Sequence, residues 1–502
     1  MVDGGGGSTV LHQLKHAGLD WMDMRHIFVT HKHVDHMMGI IWIKKPESIV
    51  RSLALSIVPD ITITLFADVF MKLELKKEEK MEQKLFTELR PLYTTSKESP
   101  NEIRIRIRMR DLIDSDVLRH AVDTTMKRYP YFCVELQKKD GQYIFTENHR
   151  PVVITNSVHG VELNSEDSNY HMIAFCFQDN WIILDVFHGM TDGTGAYEVL
   201  RTLLYYYCSE RYNTRLNDDG IRLVEDEISE EEWIDPVAQR TDLPVPARNE
   251  MPQALNLISA AGLQDDHRHT VYSIAISESE FMRFNLDNDG SPGTMVALLL
   301  SRSIAKLFPD TPDPIRITLC VNQRNALRAP LAHQSLVGGV FLEYKNRMRD
   351  WPLGMQATAY RGMVFAQTQE EDVLMGVASM AGISRMILSK ESDRERQGVV
   401  GYISTLAAKV ITASVSYVGK ANYRETEQYI RDFRAWTSST ANGLTVEISA
   451  VNGRFTLDFL QTFSCPLFVN AFLKELEENG IVYDLQDVNE LELPNIKLPW
   501  TE

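Results

Sequence analysis

Two short stretches of this sequence bring imidazoles and carboxylates close enough to share a reaction, and they point to different chemistries. The first, FVTHKHVDHMMG at residues 28–39, spaces His31, His33, Asp35 and His36 as H-x-H-x-D-H. On a tight loop this spacing turns two ligands toward one metal ion and two toward a neighbouring one, as zinc sites require. The second, LDVFHGMTDGTGAY at residues 184–197, sets His188 four residues before Asp192 at the end of an apolar run. A neutral imidazole, with an unperturbed pKa of about 6.5, takes a proton from an attacking hydroxyl at neutral pH. The H-x-x-x-D spacing alone decides nothing, because His31 and Asp35 repeat it. Context separates the two: His188 stands at the end of a buried-strand pattern, Gly189 and Gly193 allow a tight turn beside it, and a helix pattern follows. The plainer readings are a hydrogen-bonded core histidine for His188 and a helix N-cap for Asp192, and the cap is compatible with a catalytic loop.

The elements that must hold these residues follow from periodicity. WIILDVF at residues 181–187 is a nearly continuous apolar run and is expected to be a buried strand ending at His188. IRIRIRMR at 103–110 alternates strictly and predicts a strand with one wet face, followed by a helix over 114–128 with an acidic first turn. TGAYEVLRTLLYYYCSERY predicts a helix after the motif, its LLYYYC stripe serving packing. Residues 213–253, rich in acid and proline, are expected to cross between two halves. After them come a strand over 270–276, a helix with Ser291 as N-cap and Pro292 at its first position, and a strand over 315–321. Further on, helices are expected across 355–387, a strand over 413–418, and a hairpin turning on Asn452-Gly453. The charged stretch at 71–90 is expected to be a connecting helix.

Bulk properties narrow the classes. A chain of 502 residues suggests about three domains or subdomains. The formal net charge of -17 argues against a nucleic-acid groove or an anionic membrane surface as main partner. Five scattered cysteines without a CxxC pair suit reduced thiols, and no signal peptide or long apolar run is evident, so a soluble, cytoplasmic protein is expected.

With DGGGG at 3–7 upstream, the first motif resembles metallo-β-lactamase-fold hydrolases of the ribonuclease Z-like branch over about residues 1–60. The resemblance implies one zinc on His31 and His33 and a second on Asp35 and His36. The family also needs an opening hairpin and later histidine and aspartate ligands, whereas no histidine follows His36 before His120. The segment is therefore expected to be a truncated remnant with an incomplete site, and zinc is not expected as a cofactor.

Residues 85–484 resemble the chloramphenicol acetyltransferase and condensation-domain superfamily, nearest its alcohol O-acetyltransferase-like members. The likeness rests on LRHAVDTTMKRYPYF (118–132), HGMTDG, ITLCVNQRNAL (317–327) and ASVSYVGK (413–420), in the family's order. Phe187 replaces the first of the doubled histidines of peptide-forming members, which favours a simpler acyltransferase over peptide synthesis, and the plant-type motif D-F-G-W-G is absent. The fold expected is α/β: two chloramphenicol-acetyltransferase-like subdomains with a channel between them, after an incomplete metallo-β-lactamase-like segment. The domains are then 1–60 (hydrolase-like fragment), 61–84 (connection), 85–212 (N-terminal subdomain), 213–264 (linker) and 265–502 (C-terminal subdomain). The implied reaction moves an acetyl or other acyl group from coenzyme A to a small-molecule alcohol, with an acyl carrier protein as the alternative donor. His188 would be the general base. Asp192 would tie down the loop through an arginine, Arg90, Arg128 or Arg324, the last with a plain salt bridge as its other reading. Ser416 would donate to the oxyanion by its motif position. His171 and His333 are read as structural. The rival functions are a zinc hydrolase acting through the first motif and a non-catalytic binder of an acyl carrier or thioester.

Overall fold

β-Branched and aromatic runs separated by turn residues sort the chain from Glu82 onward into three sheets. The computed structural model describes residues 82–240, 242–243, 251–265, 269–438 and 443–501. The chain divides into two units, Met1–Lys80 and Met81–Glu502. His31, His33, Asp35, His36 and the elements expected before residue 82 lie outside the described residues.

In chain order the second unit opens with β1 (Glu82–Lys84), α1 (Leu89–Thr94), β2 (Glu102–Met109), α2 (Ser115–Arg128), β3 (Val134–Lys139), β4 (Gln142–Glu147), β5 (Ile154–Asn156), β6 (Ile173–Gln178), β7 (Trp181–Phe187) and α3 (Gly193–Arg211). After the 213–264 segment follow β8 (Thr270–Ser277), α4 (Glu278–Asp287), α5 (Pro292–Leu307), β9 (Ile315–Asn322), β10 (Val337–Tyr344), α6 (Leu353–Gln367), α7 (Glu370–Leu388) and α8 (Asp393–Val410). The chain ends with β11 (Ala413–Tyr417), β12 (Ile430–Thr437), β13 (Leu444–Val451), β14 (Arg454–Gln461), α9 (Leu467–Glu478) and β15 (Tyr483–Glu490). One sheet runs β12-β2-β7-β6-β5, a second β10-β9-β11-β13-β14-β8-β15, and a small third β1-β4-β3. Each of the two large sheets has its own apolar core. The expected mixed α/β architecture is present, and its two large sheets are joined by β12, which follows β11 in sequence but pairs antiparallel with β2 of the first sheet.

Local signals account for the main elements. Asp114 caps α2 through the backbone N–H groups of Asp116 and Val117. Ser291 and Pro292 open α5, whose buried face runs almost its whole length. The hairpin between β13 and β14 pairs Val451 with Arg454, and its two turn residues have φ of 50° at Asn452 and 77° at Gly453, the left-handed pair a two-residue turn demands.

Three expectations change. Residues 82–84, expected within a connecting helix, form β1 because Glu82, Gln83 and Lys84 pair with the edge strand β4, and the helix starts only at Leu89. The arginine face of β2 is not wet along its length. Arg104 is buried and bidentate to Asp185, donating also to the Glu492 carbonyl at 2.8 Å, while Arg106 lies over the Trp181 and Trp436 rings. The C-terminal segment and β12 cover what alternation alone leaves open. The 213–264 segment is also packed: Leu216, Ile221, Val237 and Glu232 are buried in it.

The hairpin supplies a clean test of backbone chemistry. No atom lies within 4 Å of a Cβ added at Gly453, so Gly453→Ala meets only its positive φ. It is expected to lower stability by about 1 kcal/mol, read as a urea midpoint shift without a change in slope.

Candidate active site

Buried β7 ends at Phe187 and delivers His188, half-buried, at the edge of the first sheet. Its backbone N–H donates to the Asn101 carbonyl at 2.8 Å, fixing the residue to the start of β2. Its Nδ1 lies 3.1 Å from the Thr191 carbonyl oxygen. A carbonyl only accepts, so Nδ1 carries the proton in this hydrogen bond and the neutral ring keeps its lone pair on Nε2.

Gly189 and Gly193 do not adopt positive φ, contrary to the tight-turn reason given for them. Close approach requires them instead. A Cβ at Gly189 would lie 2.3 Å from the Phe187 ring, and one at Gly193 2.5 Å from Val418 Cγ2, where the start of α3 meets the segment after β11.

Asp192 caps α3, accepting from the N–H groups of Thr194 (2.9 Å) and Gly195 (3.2 Å). The same carboxylate accepts from Arg324 in two bonds of 2.8 and 2.9 Å and from the Leu336 N–H at 3.0 Å. Both readings of Asp192 therefore hold in one side chain. Arg324 is itself fixed by the carbonyls of Ala332 and Gln334, each at 2.8 Å. Of the three candidate arginines, the structure brings only Arg324 to Asp192. Arg128 instead makes two 2.9 Å bonds to Glu232, which also accepts from Tyr131, tying α2 to the crossing segment. Arg90 is exposed on α1.

His333 donates from Nδ1 to the Glu232 carbonyl at 2.7 Å and sits against the Tyr131 ring. Burial, aided by the Arg324 charge, pushes it down to about 4, so it is neutral. His171 is buried with Nε2 on the Arg150 carbonyl at 2.8 Å.

Ser416 lies on β11 in register with Glu447 of β13, which sets its hydroxyl beside the Glu447 carboxyl. The Thr437 hydroxyl donates to the same carboxyl at 3.0 Å. Burial first, then the nearby Asp458 charge, pushes Glu447 up to about 7 against these two hydroxyls. Glu447 and its neighbour Cys320, half-buried on β9, escaped sequence reasoning. The available signal was a lone acid inside the apolar strand LTVEISAV.

Two predictions follow from these groups. Asp192→Ala strips a buried guanidinium of its partner and is expected to cost about 3–5 kcal/mol of stability by urea unfolding, part of it recovered in Asp192→Ala/Arg324→Met. For Glu447 the folded-state pKa is raised, so its stabilising protonation is complete below about pH 4.5 and is lost as pH rises through 7. His333, held neutral with a lowered pKa, acts in the opposite sense only below about 6.5. Between about pH 4.5 and 7.5 the Tm of wild type is therefore expected to fall relative to that of Glu447→Gln, the His333 contribution being common to both; equal slopes would contradict the raised value.

Comparison with known proteins sets this geometry in a fold. Residues 1–104 match the family model described as the metallo-beta-lactamase superfamily. The match passes residue 60 and takes in β1, α1 and the first residues of β2. No curated protein matches the chain. Among solved structures, F. sporotrichioides TRI101 complexed with coenzyme A and T-2 aligns with a TM-score of 0.52 at 11% identity, over 81% of this chain and 99% of that one. The condensation domain from Monacolin K polyketide synthase MokA aligns with a TM-score of 0.51 at 13% identity, over 79% and 97%. Polyketide synthase associated protein 5 from Mycobacterium tuberculosis aligns with a TM-score of 0.50 at 13% identity, over 78% and 96%. The chain thus joins a segment similar to the metallo-β-lactamase superfamily to the chloramphenicol-acetyltransferase-like fold of condensation domains.

Proposed function

We propose that this protein is an acyltransferase that moves an acyl group, most simply acetyl, from the thioester of coenzyme A to the hydroxyl of a small alcohol, with His188 as general base. The observation that carries the reading is the His188 tautomer: Nδ1–H held by the Thr191 carbonyl leaves Nε2 as the proton acceptor. Nε2 takes the hydroxyl proton as that oxygen bonds to the thioester carbon, forming a tetrahedral oxyanion. Collapse breaks the carbon–sulfur bond, and the imidazolium returns its proton to the departing thiolate, so the enzyme ends unchanged. Asp192 and Arg324 act at a distance, holding the loop. Ser416 is the oxyanion donor in this scheme. Support for the donor comes from TRI101, solved with coenzyme A; the condensation-domain likeness makes the phosphopantetheine arm of a carrier protein the alternative source of the same thioester.

The metallo-β-lactamase likeness implies zinc, and the donor set does not fit a complete site. Within the matched residues no histidine follows His36. No step is routed through zinc.

The test is thiol release from acetyl-coenzyme A with a panel of alcohols and amines, for wild type and His188→Ala, with and without a chelator. Release is expected to need a hydroxyl acceptor, to fall by about 10²–10⁴ in the variant and to ignore the chelator. Release that survives His188→Ala, or vanishes with the chelator, sinks the proposal; thioester binding without turnover in either form would make the protein a binder. Zinc well below one per chain is expected in the purified protein, and a stoichiometric ion lost on changing His31 and His33 would restore the hydrolase reading.

A further inference from the structure

One face of the second large sheet carries a polar row where an apolar one is the norm for a covered sheet. Register sets Ser416 beside Glu447, Glu447 beside Asp458, and Asp458 beside Ser273. On the other side of Ser416, continuing the β11–β9 register, lies Cys320. Directly paired residues project from the same face, so these five side chains form a line across five strands. The crossing strand β12 lies over this line: Trp436 Nε1 donates to Asp458 at 3.1 Å, Arg434 to Ser273 at 2.9 Å, and Thr437 to Glu447 at 3.0 Å.

The Ser416 end of the row points at the His188 loop. Asn322, two residues past Cys320 on β9, reaches Thr194 Oγ1 at 3.4 Å, and Val418, two residues past Ser416, abuts Gly193. Two strand residues span about 6.5 Å, so Ser416 sits roughly that far along its strand from the start of α3.

A serine hydroxyl has one proton to give, and an ionised carboxylate can only accept it. We infer, resting on the acyl-transfer reading, that Glu447 is a positioning residue for Ser416. Protonated, its carboxyl donates to Ser416 Oγ and frees the serine O–H for the oxyanion; ionised, it draws that O–H away from the reacting carbonyl. Burial and the Asp458 charge hold Glu447 at about 7, so the change falls within the working range. The other groups around it are Ser416 on β11, Thr437 on β12, Asp458 on β14, Cys320 on β9 and Tyr197 on α3. Cys320 is pushed up to about 12 by burial, and burial also raises Tyr197, so both stay protonated through neutral pH. Asp458 is raised by burial to about 6, with the Arg434 charge acting against it, and is the further group that titrates in this range.

The experiment is the pH dependence of kcat and KM for acetyl-coenzyme A thiol release from pH 5.5 to 9, in wild type, Glu447→Gln, Ser416→Ala and His188→Ala. In wild type kcat is expected to decline above about pH 7, by up to about 10²–10³ if the donor is wholly lost, with KM little moved. In Glu447→Gln the declining limb is expected to disappear, because the amide N–H donates to Ser416 at every pH. Ser416→Ala is expected to be slow throughout and to lack the limb. A Glu447 that merely packs would instead lower the rate evenly across pH when changed. A limb that persists in Glu447→Gln, or a Ser416→Ala enzyme as fast as wild type, overturns the inference while leaving His188 as base. Absence of His188-dependent release from wild type overturns the acyl-transfer reading and this inference with it.

Discussion

The structure around the candidate site depends on the buried pair between Asp192 and Arg324, 1% and 4% exposed. A carboxylate taken out of water needs donors on every lone pair it keeps, and Asp192 has them from its own helix, from Arg324 and from the Leu336 N–H. Arg324 and Leu336 belong to the half of the chain after the crossing segment, Asp192 to the half before it. A helix cap alone contributes about 1 kcal/mol, whereas losing one member of a buried pair costs several times that. The loop that carries His188 is therefore held by a contact between the halves and not by its own short sequence.

That anchoring fixes the orientation of the His188 ring. Its ring is oriented by the Thr191 carbonyl, and Thr191 is itself fixed, its hydroxyl donating to the His333 carbonyl at 2.7 Å. His333 in turn rests on Glu232, which Arg128 and Tyr131 hold in the crossing segment. Each link is a hydrogen bond to a backbone carbonyl or a buried carboxylate, groups that cannot reorient without leaving a partner unsatisfied. A ring placed this way is oriented in advance of any ligand, as the proposed role of general base requires.

Much of this was legible in the sequence where the signal is local. The apolar run of β7, the Ser291-Pro292 start of α5 and the Asn452-Gly453 turn are short-range rules, and the structure follows them. The order of the motifs carried the fold, because they mark positions on a shared scaffold. What escaped is set by long-range pairing. Charge alone made Arg90, Arg128 and Arg324 equivalent, and only the meeting of the halves selects Arg324. Glu82–Lys84 reads as helix until an edge strand claims it, and Arg104 reads as solvated until the chain near Glu492 covers it. Glu447 was missed because alternation assigns a lone acid to the wet face of a strand, and β12 had not been recognised as the lid over that face.

The crossing strand explains why such acids are tolerated. β12 hydrogen-bonds along β2 in the first sheet while its side chains Arg434, Trp436 and Thr437 satisfy Ser273, Asp458 and Glu447 in the second. Separating the sheets would unpair a full strand and strip the buried Asp458 and half-buried Glu447 carboxyls of their donors at once, a larger penalty than opening an apolar seam of the same size. The polar row therefore works as a registry device: an apolar face would let β12 slide by two residues at small cost, but three specific donors meeting three specific acceptors permit one alignment. Fixing β12 fixes the start of β2, and with it the Asn101 carbonyl that accepts from the His188 backbone. The same strand that joins the two halves thus sets the distance between His188 on one and Ser416 on the other.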